Sequence, residues 1–475
     1  MTVAGATSKA PSAQPSPVAP SVPGALAIGR QLLHHAWPVL VAQLLSMSMM
    51  VADTLIAGHY STKDLAAVAV GSGLYISVVM LLVGILQSVA PTVAHHVGAD
   101  RHDEIGPALH QGFWLALMLA VPGTLLLAHP EALLARVGVP ADVAATASSY
   151  MLATAFGLPA VLLHRTFYAF INALGRPRVL MAISFIATST HIPLAWFLTH
   201  GLGPLPALGA LGCGISTALV SWLGFACALA YLWRTPIYRR YRIFERWQPP
   251  RARAIGSLLR LGVPMGLSTF IEITSFTLIA LFVARIGADA VAGHRVVANL
   301  AALVYMLPLA MSIATLVLVG QAAGARDWAR ARATVRVSLW LTCAFAVTIG
   351  IALWLVRGPV IALSTSDPAV RAVALGLIFY ICIYQLSDAI QTVAAHALRG
   401  FKITLLPMLL HTVCFWGIGL AGGYWLTYHV GARTEQPSVA GFWEASVAAT
   451  ILASVLFGLL LRSVLRRHRE LDPGR

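Results

Sequence analysis

The chain has 475 residues, of which 58% are hydrophobic and only 10% charged, with a net charge of +15. Soluble domains carry roughly 25% charged residues, so a mean hydropathy of +0.79 excludes a soluble globular protein and leaves a polytopic α-helical membrane protein. The positive balance is no nucleic-acid signature, because most of the 32 Lys and Arg fall in short segments between apolar runs.

Residues 1–25 are rich in Ala, Pro, Ser and Val and lack the compact apolar core of a signal peptide, so they read as a disordered tail. Twelve apolar spans follow, at 33–57, 65–94, 110–128, 143–164, 178–199, 209–233, 256–286, 291–320, 332–356, 370–392, 403–427 and 440–463. Each reaches or nearly reaches the ~20 residues that cross a bilayer as a helix. Runs this continuous exclude a barrel.

Basic residues set the orientation. One set of connections carries Arg101, Arg165, Arg176, Arg178, Arg326, Arg330, Arg332, Arg399 and Lys402, together with the Arg-rich segment 234–253 and the C-terminal tail. The opposite set holds only Lys63, Arg136, Arg285, Arg357, Arg371 and Arg433. Both termini and the central loop are therefore expected in the cytoplasm, and the central loop reads chiefly as a topology signal, with anionic lipid headgroups as its other reading.

The halves repeat. Pro38 and Pro264 lie 226 positions apart (264 − 38), and the pairs Ala66/Ala292 and Gly98/Gly324 keep that offset. The strings HHVGADRHDE and QAAGARDWAR correspond in the same way. The expected organisation is a tail (1–25), an N-lobe of six helices (26–233), a basic linker (234–255), a C-lobe of six helices (256–463) and a second tail (464–475). Transporters built from such parallel repeats carry their sites near mid-membrane.

Three acids lie inside the spans. Glu272 shares a helix face with Ser268 and Ser275, Asp53 lies on a stripe with Gln43, Ser46 and Met50, and Asp388 lies with Gln385 and Thr392, beside Gln391. A charge near mid-bilayer costs about 2.5–3.5 kcal/mol on the insertion scale, so each acid needs a partner, a proton or a cation. Three acids on polar stripes, in two lobes, point to cation-coupled translocation. Arg295 and Asn299 share a face of the eighth span. Arg295 has two readings, as an internal counter-ion for Glu272 or Asp388, or as a side chain snorkelling to the interface. His191 and His396 titrate in the range a proton relay would use, although a lone bundle histidine is more often a hydrogen-bonded packing residue.

Cys213, Cys227, Cys343, Cys382 and Cys414 all fall in apolar runs without a C-x-x-C pairing, which gives neither a disulfide frame nor a metal site. A phosphate-binding loop, H-E-x-x-H and G-x-S-x-G are all missing, so an enzyme or ATP-driven pump is not expected, and no cofactor is implied.

The strings PVLVAQ, VADTLIAG, DLAAVAVG, LGCGISTALVSW, FIEITSF, AGHRVVAN, YMLPLAMSIA and SDAIQTVAAHALRGFK run through both halves. Together they resemble the multidrug and toxic compound extrusion (MATE) family, in particular its bacterial NorM-type branch. The resemblance implies a V-shaped pair of six-helix lobes that alternates between outward- and inward-open states and exchanges Na⁺ or H⁺ for amphipathic, often cationic, drugs. It also implies that Glu272 and Asp388 form a C-lobe cation site, with Na⁺ or a proton bound there, and that Asp53 serves an N-lobe site. Gln43, Arg295, Asn299, Tyr384, Gln385 and Gln391 are the candidates for lining the cavity.

Two departures stand out. Where the family has an N-I-P-L-N-like string, this chain reads HIPLA, with His191 and Ala195 in place of oxygen-bearing ligands. That weakens the case for a hard cation at Asp53 but not for a proton. The family's A-H-Q is G-H-R here, so Arg295 replaces a neutral amide. The resulting expectation is a monomeric drug/cation antiporter of the bacterial inner membrane, in contact with membrane lipids. The alternatives are a lipid-linked glycan flippase of the same superfamily and a non-transporting membrane scaffold.

Overall fold

A computed structural model describes residues 23–137, 139–201, 206–430 and 438–470. Most of the expected N-terminal tail, Arg433 and the last five residues of the C-terminal tail lie outside these. Twelve helices are long and apolar enough to cross a membrane. They are α1 (Ala25–Tyr60), α2 (Thr62–Gly98), α3 (His102–Ala128), α4 (Ala141–Ala173), α5 (Arg178–His200), α6 (Ala210–Arg234), α7 (Ala252–Val283), α8 (Ala288–Gly324), α9 (Trp328–Leu355), α10 (Pro368–Gly400), α11 (Leu405–Val430) and α12 (Ala440–His468). The short helices Glu131–Val137 and Arg357–Ser364 lie between spans. No strand occurs among the described residues.

Local chemistry sets the helix ends. The Ser61 hydroxyl accepts from the Lys63 and Asp64 amides at the start of α2, and Asp367 accepts from the Ala369 and Val370 amides ahead of Pro368 in α10. Each such cap satisfies amides that have no intrahelical partner. Asp64 also accepts from the Ala210 amide at 2.6 Å, so one side chain of α2 fixes the start of α6. The turns after α2 and α8 pass through the left-handed region at Asp100 (φ 57°) and Arg326 (φ 58°). These residues are again 226 apart (326 − 100), so the repeat extends to backbone conformation.

Packing follows the same symmetry. In the first half α4 packs against α2, α3 and α6, while α5 packs against α1 and α6. In the second half α10 takes the place of α4, against α8, α9 and α12, and α11 packs against α7 and α12. Across the halves α2 meets α7, and its repeat equivalent α8 meets α1. The helices come closest at glycine. A Cβ on Gly84 would sit 2.6 Å from the Gly266 Cα, and one on Gly324 would sit 2.8 Å from the His95 Cα. A Cβ on Gly98 would collide with the Gln321 backbone in the same way. Two repeat-matched side chains then cross the seam. His95 Nε2 lies 2.8 Å from the Gly400 carbonyl at the end of α10, and Gln321 Nε2 donates to the Ala173 carbonyl at the end of α4, also at 2.8 Å. Beside this seam, burial draws the Lys402 ammonium below its ordinary pKa, and the Glu104 carboxylate of the other half acts against that shift.

The basic segment 234–253 is strapped to α3. His110 Nε2 donates to the Ile243 carbonyl at 2.7 Å, and Gln111 Nε2 donates to the Pro249 carbonyl at 2.9 Å while its Oε1 accepts from the Arg251 amide at 2.7 Å. Trp114 Nε1 donates to the Gln248 carbonyl, and the Trp247 ring packs against His110, Phe113 and Trp114. Charge density shows none of this docking, because uncharged side chains and backbone carbonyls make it. His110→Ala leaves a buried carbonyl unpaired, a loss of about 1–3 kcal/mol. The expected outcome is faster tryptic cleavage within 234–253 while the spans stay protected; an unchanged cleavage rate would show that the strap holds without His110.

Candidate functional site

Three buried or half-buried carboxylates lie in two separate polar clusters. In the first half, α1, α5 and α6 converge on Asp53. His191 Nε2 lies 2.9 Å from Asp53 Oδ1, and Thr217 Oγ1 donates to Asp53 Oδ2 at 3.4 Å. The other ring nitrogen of His191 meets Ser216 Oγ at 3.1 Å. Because the carboxylate can only accept, Nε2 is the donor, and Ser216 Oγ, which also lies 3.2 Å from the His191 carbonyl, holds the ring from its Nδ1 side. His191 is fully buried, so it is the partner that makes an intramembrane carboxylate tolerable at Asp53. Asp53 opens onto a cavity of about 250 Å³ that also takes in Ser46, Tyr75, Tyr150, Arg165 and Tyr168.

In the second half, α7, α8, α10 and α11 contribute. Gln391 Nε2 donates to Asp388 Oδ1 at 2.9 Å, and its Oε1 accepts from His411 Nε2 at 2.9 Å. Glu272 is half-buried, with the Tyr305 hydroxyl and the Arg399 guanidinium as its polar neighbours. Gln385 Nε2 donates to the Val304 carbonyl at 3.5 Å, which links α10 to α8. The His396 Nδ1–H donates to the Thr392 carbonyl at 2.9 Å, which leaves Nε2 to accept from Arg399 at 3.3 Å. His396 is thus a fixed neutral link between Thr392 and Arg399. Just after His411, α11 becomes π-helical over Thr412–Gly422, a departure frequent at functional sites.

The residues expected from sequence divide unevenly. Asp388, Gln391, Tyr384 and Gln385 are buried on α10, with Tyr384 close enough to feel the charges of both acids. Asp53 keeps Ser46 and Met50 beside it in its cavity, but Gln43 lies outside that lining. Ser268 and Ser275 are buried, and Ser275 donates to the Phe415 carbonyl. Arg295 and Asn299 are exposed.

The buried cation nearest in influence to Glu272 is therefore Arg399, while Arg295 is exposed. Arg399 was expected in a cytoplasmic connection, yet α10 runs to Gly400 and Arg399 is only 6% exposed. Arg165, also expected in a connection, belongs to α4 and lines the Asp53 cavity with its guanidinium over the Tyr168 ring. Arg165 directly follows the expected fourth span, and Arg399 lies seven residues beyond the expected end of the tenth (399 − 392), past the polar Gln391, Thr392 and His396, so a hydropathy window leaves both outside. Tyr305 and His411 gave no signal above that of ordinary membrane-helix residues.

Twelve helices in two repeated halves, with carboxylates held in polar clusters inside each half, define the class of pseudo-symmetric membrane transport proteins. The particular family follows from comparison: a family model described as MatE matches residues 38–197 and 264–425, two segments whose starts are offset by the internal repeat of 226 (264 − 38), and the chain belongs to that family. It is 72% identical over 445 residues to a probable multidrug resistance protein NorM of Aromatoleum aromaticum, covering 94% of this chain and 96% of the relative. It is 32% identical to the multidrug resistance protein PmpM of Pseudomonas aeruginosa, covering 93% of this chain and 94% of that one. Among solved structures it superposes on the eukaryotic MATE transporter AtDTX14 with a TM-score of 0.83 at 18% identity, covering 94% of this chain and 99% of that one. It superposes on the bent form of the Vibrio cholerae transporter VcmN with a TM-score of 0.81 at 18% identity, covering 94% and 98%.

Proposed function

We propose that the protein is a multidrug efflux transporter of the bacterial inner membrane that exchanges Na⁺ or H⁺ for amphipathic, often cationic, drugs. In this reading helices α1–α6 and α7–α12 rock as two bodies, with the basic ends of the helices and both termini on the cytoplasmic side. The observation that carries the reading is the Glu272–Asp388 cluster, where two carboxylates of different helices lie within each other's field. A bound cation or proton removes their repulsion, and it changes the balance between the two lobe arrangements only insofar as it binds one of them more tightly.

The C-lobe cluster suits either ion. Carboxylate, hydroxyl and amide oxygens from Glu272, Asp388, Tyr305, Thr392 and Gln391 are the oxygen type a hard cation takes. Gln385 Oε1, one helical turn from Asp388, is buried without a partner among the described residues. The N-lobe cluster favours a proton, because His191 presents a nitrogen donor to Asp53 where a metal cation would need another oxygen. The repeat thus belongs to the fold and not to the chemistry: the repeat counterpart of Asp53 is Ile279 (279 − 53 = 226) and that of Glu272 is Ser46 (272 − 46 = 226).

The test is efflux of a fluorescent cationic dye from proteoliposomes under an imposed Na⁺ gradient or an imposed pH gradient, with wild type beside Glu272→Gln and Asp388→Asn. Transport driven by one gradient and lost in both variants supports the reading and identifies the ion. Dye movement that ignores both gradients, or survives both substitutions, overturns the coupling. In the same assay His191→Ala is expected to reduce pH-driven transport at least tenfold while the folded protein persists, because Asp53 loses its ring donor (about 1.4 kcal/mol per factor of ten). An unchanged rate would remove His191 from the pathway.

A further inference from the structure

On the outer face of the seam between the halves, α1, α8 and α9 enclose an open groove of about 830 Å³. Its floor is apolar, backed by the buried cluster of Ile28, Leu32, Ala36 and Val39 against Ala310, Met311 and Ala314. Its basic end carries Arg30 and His34 on α1 and Arg336 on α9, and its lining holds no carboxylate. Arg30 and Arg336 are exposed, and neither has an ion-pair partner among the described residues. A Cβ at Gly29 would meet Val337 and Leu341, which places Arg30 beside this part of α9 and Arg336 within about one helical turn of it.

Two tryptophans complete the lining. Trp37 lies seven residues beyond Arg30 and Trp340 four beyond Arg336, hence about 10 Å and 6 Å further into the membrane at 1.5 Å per residue. They are 44% and 74% exposed, so both rings border the groove without closing it. Cations at the rim, amphipathic rings below them and an apolar trough beneath reproduce the profile of a phospholipid from headgroup to acyl chain.

We propose that this groove binds one anionic phospholipid of the cytoplasmic leaflet, with its phosphate held by Arg30 and Arg336 and its acyl chains lying along α1 and α9. The proposal rests on the orientation given above, but not on drug transport or on the coupling ion. Annular lipid fills any apolar trough regardless of headgroup. Two guanidiniums lining the same groove, one from each half, select an anion. Because α1 and α9 belong to different halves, the bound lipid bridges them.

The test uses full-length protein in neutral detergent, titrated with phosphatidylglycerol or with phosphatidylcholine of the same acyl chains, with thermal unfolding as the readout. Each basic side chain contributes roughly fivefold, so the wild type is expected to prefer phosphatidylglycerol by about thirtyfold. In R30Q/R336Q the two lipids should become equivalent, whereas R466Q/R467Q, which removes the same charge from the end of α12, should keep the preference. Equal affinities in the wild type, a preference that survives R30Q/R336Q, or an equal loss in R466Q/R467Q would each overturn the site. Inorganic phosphate that reproduces the stabilisation on its own would also overturn it, as a free-anion site. A photoactivatable phosphatidylglycerol gives a variant-independent check: its adducts on wild type should map to residues 25–40 and 336–341, and labelling confined to other helices would refute the proposal.

Discussion

Arg399→Gln is expected to destabilise the protein by about 1–3 kcal/mol, the cost of leaving the buried His396 Nε2 without its donor. Arg399 lies inside α10, faces Glu272 and is anchored through His396 to the Thr392 carbonyl. Removing the guanidinium leaves the Glu272 carboxylate without its internal cation and His396 Nε2 without its donor. The second substitution provides the check. Glu272→Gln added to Arg399→Gln removes the stranded charge, so the double variant should unfold at a higher temperature than Arg399→Gln alone while remaining inactive in dye efflux. If the two changes simply add, Arg399 and Glu272 do not act as a pair.

The second large effect is expected at the seam. Gly98→Val and Gly324→Val place side-chain carbons where the backbone of Gln321 and His95 already lies. Overfilling a packed interior costs typically 1–3 kcal/mol, and here the obstacle is backbone on a second helix, which cannot rotate aside. The ends of α2 and α8 must separate, and the bonds from His95 to Gly400 and from Gln321 to Ala173 go with them. Spin labels at the ends of α2 and α8 should report a longer and broader distance in either variant. Gly73→Val serves as the control, since nothing lies within 4 Å of the added Cβ. An unaltered distance in Gly98→Val would mean that the helices slide to accommodate the side chain, and that this contact does not hold the seam.

Hydropathy located all twelve spans, because a bilayer admits only helices that satisfy their own backbone and expose apolar side chains. It misplaced their ends where a polar residue is satisfied by the protein. The tenth span was expected to stop at 392, yet α10 continues to Gly400 because His396 and Arg399 find partners inside the bundle. The fourth was expected to stop at 164, while α4 carries Arg165 inward and ends at Ala173. A window of mean hydropathy reads both arginines as a loop, since it weighs each side chain as though it faced lipid.

The three acids, the 226-residue repeat and the family resemblance were all legible in the sequence. Intramembrane carboxylates are rare enough to stand out one by one, and the repeat survives as matched Pro, Ala and Gly positions whose backbone roles permit few substitutes. Partnership was decided by tertiary structure alone. Asp53 and His191 are 138 positions apart and meet because α1 packs on α5. Glu272 has Tyr305 and Arg399 of two other helices as its polar neighbours, while Arg295, near in sequence, is exposed. A sequence lists which charges the membrane must accommodate, but helix rotation and crossing determine which side chains can reach them.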